Sequence, residues 1–195
     1  IFMIGCYTHN TINGDTEFKQ FVADKLNSES EAKIIDDWLE YMYDMRMKWN
    51  MTAKPRIYHW SNAEPSTYQK TFNKYTPAEI THDPEKCNLN YTDLLPVFRN
   101  EPIIIKGMDN YGIKSVAKAL YNNKLITTDW GESKIANGQD AMFYSWLCYN
   151  DNVKGMATLG IDVKINKKKV FNEIKHYNMI DCKVMWDMMK FVRYT

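Results

Sequence analysis

The stretch that decides the fold is residues 166–193, NKKKVFNEIKHYNMIDCKVMWDMMKFVR. Its apolar residues recur every three or four positions, which predicts one long amphipathic helix. Tyr177 and Asp181 are four residues apart and therefore share a face of that helix. The same face carries Ile174, Val184 and Met188. An ionised aspartate in an apolar stripe needs a partner or a metal, although a tyrosine and an aspartate also occur together in ordinary amphipathic helices.

Upstream of this helix the hydrophobic pattern alternates between strands and helices, which indicates the α/β class. Residues 1–7 have the apolar pattern of a strand buried on both faces, and Asn13-Gly14 predicts the turn of a hairpin. Ser28 and Glu31 form a capping box, which predicts the start of a helix. Further strands are expected at 18–23 and 56–60, and helices at 28–49, 65–75, 112–121 and 137–149. Between them we expect a polar loop at 76–90 and a short helix from about residue 92. The apolar residues 103–106 are expected to open a third strand–helix unit.

The composition is that of a globular protein. With 195 residues, 45% of them hydrophobic and 14% aromatic, the chain can bury one sizeable core, so we expect a single domain over residues 1–195. No apolar run is long enough to cross a bilayer. The net charge of +1 does not exclude a nucleic-acid partner, because catalytic carboxylates offset phosphate-binding lysines. The cysteines lie far apart, which argues against a zinc site and favours a reducing, intracellular setting; they are Cys6, Cys87, Cys148 and Cys182.

Three acidic residues besides Asp181 stand near expected helix starts. Glu64 follows the strand at 56–60, and ligands of open α/β sheets collect at the carboxyl ends of strands. An equally good explanation of Glu64 is that it complements the dipole of the helix it begins. Asp93 and Asp140 have the same two interpretations. His59, within the strand, is more typical of a structural histidine than of a ligand.

Basic and aromatic side chains suggest where a phosphate backbone would bind. Lys106 and Lys114 flank the third strand–helix unit, and three lysines at 167–169 precede the Tyr177–Asp181 pair. Lysine runs usually line a solvated helix face, so this pattern is a weak indication. The many tyrosines and tryptophans are suited to stacking on bases, and equally to filling the core.

Taken in order, these segments resemble the DEDDy branch of the 3′–5′ exonucleases, and more narrowly the RecB-like nucleases with an RNase H-like domain. The resemblance covers nearly the whole chain, and the last segment is similar to the third exonuclease motif. The segments that carry it are Ile4-Gly5 near the end of an apolar strand, the turn from Tyr58 to Glu64, Thr92-Asp93-Leu94-Leu95, residues 112–117 (GIKSVA), and Tyr177-Asn178-x-x-Asp181-Cys182 with its small residue after the aspartate.

The resemblance implies an RNase H-like mixed sheet flanked by helices, and phosphodiester hydrolysis with two divalent ions. Those ions would be Mg²⁺ or Mn²⁺, which prefer oxygen ligands. By the resemblance, Glu64 and Asp181 would bind the metal and Tyr177 would orient the attacking water. A single-stranded 3′ end of DNA or RNA would be the substrate. Residues that we expect to assist are Asp93 as a further metal ligand and Lys114, Lys106 and His59 as nucleic-acid contacts.

One part of the family's pattern is absent. Its first motif, Asp-x-Glu, lies on a central strand that precedes the strand at 1–7 and pairs with it and with the strand at 56–60. Asp15 and Glu17 have the right spacing but lie in a polar hairpin. We therefore expect this chain alone to be poorly stable and inactive, the exonuclease activity belonging to its parent protein. Two alternatives stay open, a structure-specific endonuclease and an RNase H-like nucleic-acid-binding module without catalysis.

Overall fold

A computed structural model describes residues 1–74, 89–131, 135, 137–150 and 166–194. These residues form four strands and six helices, which confirms the α/β class. The strands are β1 (Met3–His9), β2 (Thr16–Val22), β3 (Arg56–His59) and β4 (Asn90–Asp93). The helices are α1 (Ser28–Lys48), α2 (Ala63–Phe72), α3 (Leu95–Asn100), α4 (Ile113–Asn122), α5 (Gly138–Tyr149) and α6 (Lys167–Tyr194).

The strands form two separate pairs. β1 and β2 are antiparallel, with Gly5 opposite Gln20, which confirms the predicted hairpin. Gly14 in its turn has φ +81°, a conformation that glycine adopts without a steric penalty. β3 and β4 are parallel, with Tyr58 opposite Thr92. Within the described ranges, no ladder of hydrogen bonds joins one pair to the other.

Both strand pairs pack against helices on two faces. On one face, Ile4 of β1 and Ile57 of β3 pack into the cluster that contains Leu39 of α1. On the other face, Tyr58 packs into the cluster that contains Met188 of α6. β1 also packs against α6. The two pairs therefore lie in one layer, with α1 on one side and α6 on the other.

Helix α6 connects the parts of this arrangement. Its 28 residues extend for about 42 Å. Near its beginning, Ile174 and Tyr177 pack with α5, and further along Val184 and Met188 pack with α3 and α4. In the part of the chain that the structure describes, no helix is both long enough and apolar enough to cross a membrane.

Two expectations for the middle of the chain are wrong. A short strand, β4, occupies the position where a helix was expected to start, because Tyr91 and Thr92 pair with β3 and the helix begins only at Leu95. Residues 103–106 are not a strand. Ile104 is 78% exposed, whereas Ile105 next to it is 7% exposed and packs into the cluster that contains Met188. The polar loop expected at 76–90 falls almost entirely outside the described residues.

Two finer expectations are also corrected. The N-cap of α1 is Asn27, whose Oδ1 accepts a hydrogen bond from Ser30 N at 2.9 Å, so Ser28 is already helical. The Glu31 side chain pairs with Lys74 at 2.6 Å and with the amino group of Ile1. β1 is not buried on both faces. All seven of its residues are half-buried, because its described neighbours include a strand on one side alone.

Candidate active site

Tyr177 and Asp181 lie on the buried face of α6, as the helical spacing predicts. Ile174 and Tyr177 belong to a small cluster with α5, and Val184 and Met188 are fully buried in the larger cluster further along the helix. Asp181 is half-buried between these two apolar clusters. The structure thus places a carboxylate at a gap in the hydrophobic packing.

The Asp181 carboxylate is held by Trp130, which the sequence analysis did not single out. Trp130 Nε1 donates a hydrogen bond to Asp181 Oδ1 at 2.7 Å. The pKa of Asp181 is raised to about 6, mainly by burial and to a smaller extent by the negative charge of Glu64. The Trp130 hydrogen bond and the positive charge of Lys114 oppose this rise. The site therefore contains an acid whose charge is only partly compensated.

Lys114 lies beside Asp181 in the first turn of α4. Its Nζ is 5.4 Å from the centroid of the Trp130 ring and 5.0 Å from that of Tyr177. Both distances fit cation–π contacts. The structure thus brings the predicted phosphate-binding lysine to the predicted catalytic pair.

Tyr177 keeps its proton at neutral pH. Its side chain is 6% exposed, and this burial raises its pKa to about 12. The negative charges of Asp181 and Asp140 contribute to the rise. Asp140, in the first turn of α5, is therefore a further acid whose charge is felt at the site.

Glu64, on α2, also affects the electrostatics around Asp181. Its side chain is exposed by surface area, yet neighbouring protein atoms remove enough water to raise its pKa. A hydrogen bond from the backbone N–H of Glu64 itself and the presence of His59 oppose this shift in pKa, and the charge of Asp93 adds to it. Because Glu64 and Asp181 each carry negative charge, their mutual repulsion raises the pKa of Asp181.

The turn that positions Glu64 is held by Asp93. Asp93 Oδ1 accepts hydrogen bonds from Ser61 N at 2.8 Å and from Leu95 N at 2.9 Å. Ser61 has φ +65°, an unusual conformation for a residue with a side chain. The observed role of Asp93 is therefore to join the end of β3 to the start of α3, with one carboxylate oxygen used for this purpose.

His59 is buried beneath this turn. It is 7% exposed, and its Nδ1 lies 2.5 Å from the carbonyl oxygen of Ser61. A carbonyl only accepts, so Nδ1 carries the proton. The ring also meets Tyr91 edge-on. This placement is that of a structural histidine and keeps the ring away from the surface where we expected a nucleic-acid contact.

Other predicted residues lie away from the site. The carbonyl of Lys106 accepts a hydrogen bond from Asn123, at the C-terminal end of α4, whereas Lys114 is at its N-terminal end. Glu17 pairs with Lys48 at 3.3 Å. Asp15 accepts from Asn13 within the hairpin turn. The lysines at 167–169 lie in the first turn of α6, more than two turns before Asp181.

The contacts that set the position of α6 against β1 were only partly indicated by the sequence. A Cβ added to Gly5 would lie 2.8 Å from Cys182 Sγ and closer still to Asn178 Oδ1, so the helix crosses β1 where no side chain intervenes. Gln20 Nε2 donates to the Lys175 carbonyl at 2.7 Å and to Asn178 Oδ1 at 2.9 Å. In the sequence, the glycine in β1 and the small residue after Asp181 indicated that α6 and β1 pack closely together.

A divalent cation would find hard oxygen donors here in Glu64 and Asp181. The burial of Asp181 and the repulsion of its charge by Glu64 are costs that a bound cation would relieve. Within the described ranges, however, no three Asp, Glu, His or Cys side chains are grouped closely enough to form a metal site by themselves.

Comparison of the chain with models of known protein families, with curated proteins and with solved structures found no match.

Proposed function

We propose that this chain belongs to an RNase H-like 3′–5′ exonuclease domain that hydrolyses nucleic-acid phosphodiesters with divalent cations. The observation that carries the proposal is the geometry around Asp181, which accepts a hydrogen bond from Trp130 at 2.7 Å, while Lys114 Nζ lies 5.0 Å from the centroid of the Tyr177 ring. The charge of Glu64, on a different helix and far away in sequence, also raises the pKa of Asp181. Tyr177 lies one helical turn from Asp181 on the same face. Paired acids with raised pKa values are typical of catalytic sites.

Each residue has a role in this proposal. Glu64 and Asp181 would hold Mg²⁺ or Mn²⁺, and the bound ion would supply activation of a water and stabilisation of the leaving oxygen. Tyr177, which is protonated at neutral pH because its pKa is raised, orients that water through its hydroxyl group. Lys114, whose Nζ lies 5.0 Å from the Tyr177 ring centroid, contacts the phosphate next to the cleaved bond in this proposal.

The layer arrangement supports the fold part of the proposal. β1–β2 and β3–β4 lie between the same two helical layers, but they are not paired with each other. A strand between β1 and β3 would join them into one mixed sheet, the arrangement that the resemblance implies. In the proposal that strand carries the two acids of the first exonuclease motif and brings them opposite Glu64 and Asp181.

The test is cleavage of 5′-labelled single-stranded DNA and RNA with Mg²⁺ or Mn²⁺. It compares the 195-residue chain with a longer product of the same gene, where the gene continues upstream. We expect the longer product to shorten the substrate from its 3′ end, and the chain alone to be inactive. Asp181→Asn should abolish cleavage, whereas Asp44→Asn, at an exposed position of α1, should not.

The outcomes separate the parts of the proposal. Activity of the chain alone that Asp181→Ala abolishes would show that the expected strand is not needed. Cleavage within a circular single strand would favour the endonuclease over the exonuclease. Failure of every product to cleave with either cation would contradict the nuclease proposal.

A second function is favoured by one observation. In the described part of the chain two acids converge at the site with no third metal ligand beside them. That arrangement fits a nucleic-acid-binding module that has lost catalysis. Such a module would bind labelled single strands in the presence of EDTA, and Asp181→Asn would leave its affinity unchanged or raise it, since the substitution removes a negative charge.

A further inference from the structure

Two segments that meet at the C-terminal end of α4 expose apolar side chains. Asn123 Nδ2 donates a hydrogen bond to the Lys106 carbonyl at 2.8 Å, which joins the turn after α4 to the loop between α3 and α4. Ile104 in the loop is 78% exposed, and Leu125 after the helix is 47% exposed. Tyr121, one turn before Leu125, is 40% exposed. Ile104, Tyr121 and Leu125 form what we call the apolar tip.

The packing beneath the apolar tip fixes the outward direction of its aliphatic side chains. Each of them precedes a buried isoleucine, Ile105 after Ile104 and Ile126 after Leu125. The two isoleucines belong to the same core cluster and are 7% and 6% exposed. Ile104 and Leu125 therefore cannot turn inward unless these neighbours leave the core.

Three exposed lysines accompany the apolar tip. Lys106 lies in the loop, Lys118 lies on α4 and Lys124 follows the helix. Among the described residues, no acid forms an ion pair with any of them. The loop also contains Glu101, which caps α3, and Asp109, whose backbone N–H donates to the first turn of α4 at the opposite end of that helix. The surface thus combines exposed apolar area with unpaired positive charge.

Lys124 has a backbone conformation for which glycine is the usual residue. Its φ is +61°, its N–H donates to the Tyr121 carbonyl at 2.9 Å, and Leu125 N–H donates to the Leu120 carbonyl at 2.9 Å. Helices that end with these two bonds usually carry glycine at this position, because a side chain there costs free energy. Such costs are concentrated at functional sites, so the lysine side chain itself points to a contact outside the fold.

We propose that the apolar tip and its three lysines bind the surface of a membrane that contains anionic lipids. Ile104 and Leu125 enter the boundary between headgroups and acyl chains, and the lysines contact the negative headgroups. A bound peptide needs a groove, and Ile104 is too exposed to line one. A nucleic acid would use the lysines and leave the aliphatic side chains in water, and a second copy of the chain would bring like charges together. The proposal does not depend on nuclease activity.

The test is cosedimentation of the chain with vesicles of phosphatidylcholine, and with vesicles of phosphatidylcholine and phosphatidylserine in equal parts. We expect binding to the anionic vesicles that weakens with added salt, and little binding to the neutral ones. Ile104→Ser should weaken binding about tenfold, because interfacial affinity scales with the apolar area that is buried. Met142→Ser, at a 66% exposed position of α5, is the matched control and should bind as the wild type does.

Lys124→Gly separates the charge from the stability of the fold. Glycine adopts this conformation without a steric penalty, so the variant should be at least as resistant to thermal denaturation as the wild type. Its affinity for the anionic vesicles should nevertheless fall about fivefold, which corresponds to the roughly 1 kcal/mol that a lysine contributes near an anionic membrane. Lys183→Gln, at an exposed position of α6, should change the affinity less.

Three results would overturn the proposal. They are equal binding to neutral and anionic vesicles, the absence of binding to either, and an equal loss of affinity in Ile104→Ser and Met142→Ser. Labelled single-stranded DNA is the competing ligand. If Lys124→Gly weakened binding of the DNA and left binding to the vesicles unchanged, the lysines would belong to a nucleic-acid surface instead.

Discussion

At the scale of single residues, Gly5 sets the distance between β1 and α6. A Cβ at this position would overlap Asn178 and Cys182. We therefore expect Gly5→Ala to destabilise the protein by about 1–3 kcal/mol, the usual cost of overpacking, as measured by urea denaturation. Gly138→Ala is the control, because a Cβ at Gly138 would meet nothing within 4 Å. An equal effect of the two substitutions would show that the crossing is not as tight as described.

Asp181 gives a pH dependence whose sign follows from its raised pKa. The folded protein holds this proton more tightly, with a pKa of about 6, than the unfolded chain, for which 3.8 is the ordinary value. The contribution of Asp181 to stability is therefore most favourable below about pH 4 and is lost as the pH rises through about 6. Asparagine does not titrate and still accepts the Trp130 hydrogen bond.

We accordingly expect Asp181→Asn to stabilise the metal-free protein at about pH 7.5. Each pKa unit corresponds to about 1.4 kcal/mol, and partial solvation of the half-buried carboxylate reduces the sum, so a gain of about 1–2 kcal/mol is reasonable. The gain should vanish towards about pH 4. Denaturation in the presence of EDTA at both pH values measures this gain in stability. A gain that does not depend on pH would contradict the raised pKa of Asp181.

The residues of the site differ in how far sequence could predict them. Tyr177 and Asp181 were predicted because helical spacing places them on one apolar stripe. Glu64 was predicted because it follows a strand. Trp130 was missed, since it belongs to an irregular segment whose docking on α6 depends on contacts more than fifty positions apart.

At the scale of elements, the sequence pattern and the structure assign the N-cap of α1 to different residues. The structure assigns the cap to Asn27, whereas the sequence pattern favours Ser28. We expect Asn27→Ala to lower the free energy of unfolding by about 1 kcal/mol, because Ser30 N loses its acceptor. Ser28→Ala, within the first turn, should have little effect. If Ser28→Ala lowered the free energy of unfolding more than Asn27→Ala in thermal or urea denaturation, the predicted capping box would be correct.

Helices were predicted more accurately than strands, for a physical reason. The hydrophobic periodicity that predicts a helix lies entirely within the helix's own residues. The ends of α1, α4, α5 and α6 were therefore predicted to within a few positions. A strand depends on its partner. β4 is four residues long and pairs with β3, which lies more than thirty positions upstream, so nothing local distinguishes it from the start of a helix.

At the scale of the whole molecule, the positions of two lysines predict where a single strand would bind. Lys114 adjoins the site, whereas the backbone of Lys106 lies at the opposite end of α4. Lys114→Gln should weaken binding of labelled single-stranded DNA and reduce the slope of log affinity against log salt by about 1. Lys106→Gln should change both less. Fluorescence anisotropy at several salt concentrations measures this, and a larger effect of Lys106→Gln would place the strand elsewhere.

The docking of α6 on the hairpin also has a consequence for biosynthesis. Gln20 and Asn178 meet although 158 positions separate them. The hairpin and α1 rest on local contacts and can form as soon as they leave the ribosome, but the face of β1 that α6 covers must wait until the residues of α6 have been translated. During that interval an apolar surface is open to chaperones and to other nascent chains, so the yield of folded protein should depend on how quickly α6 arrives.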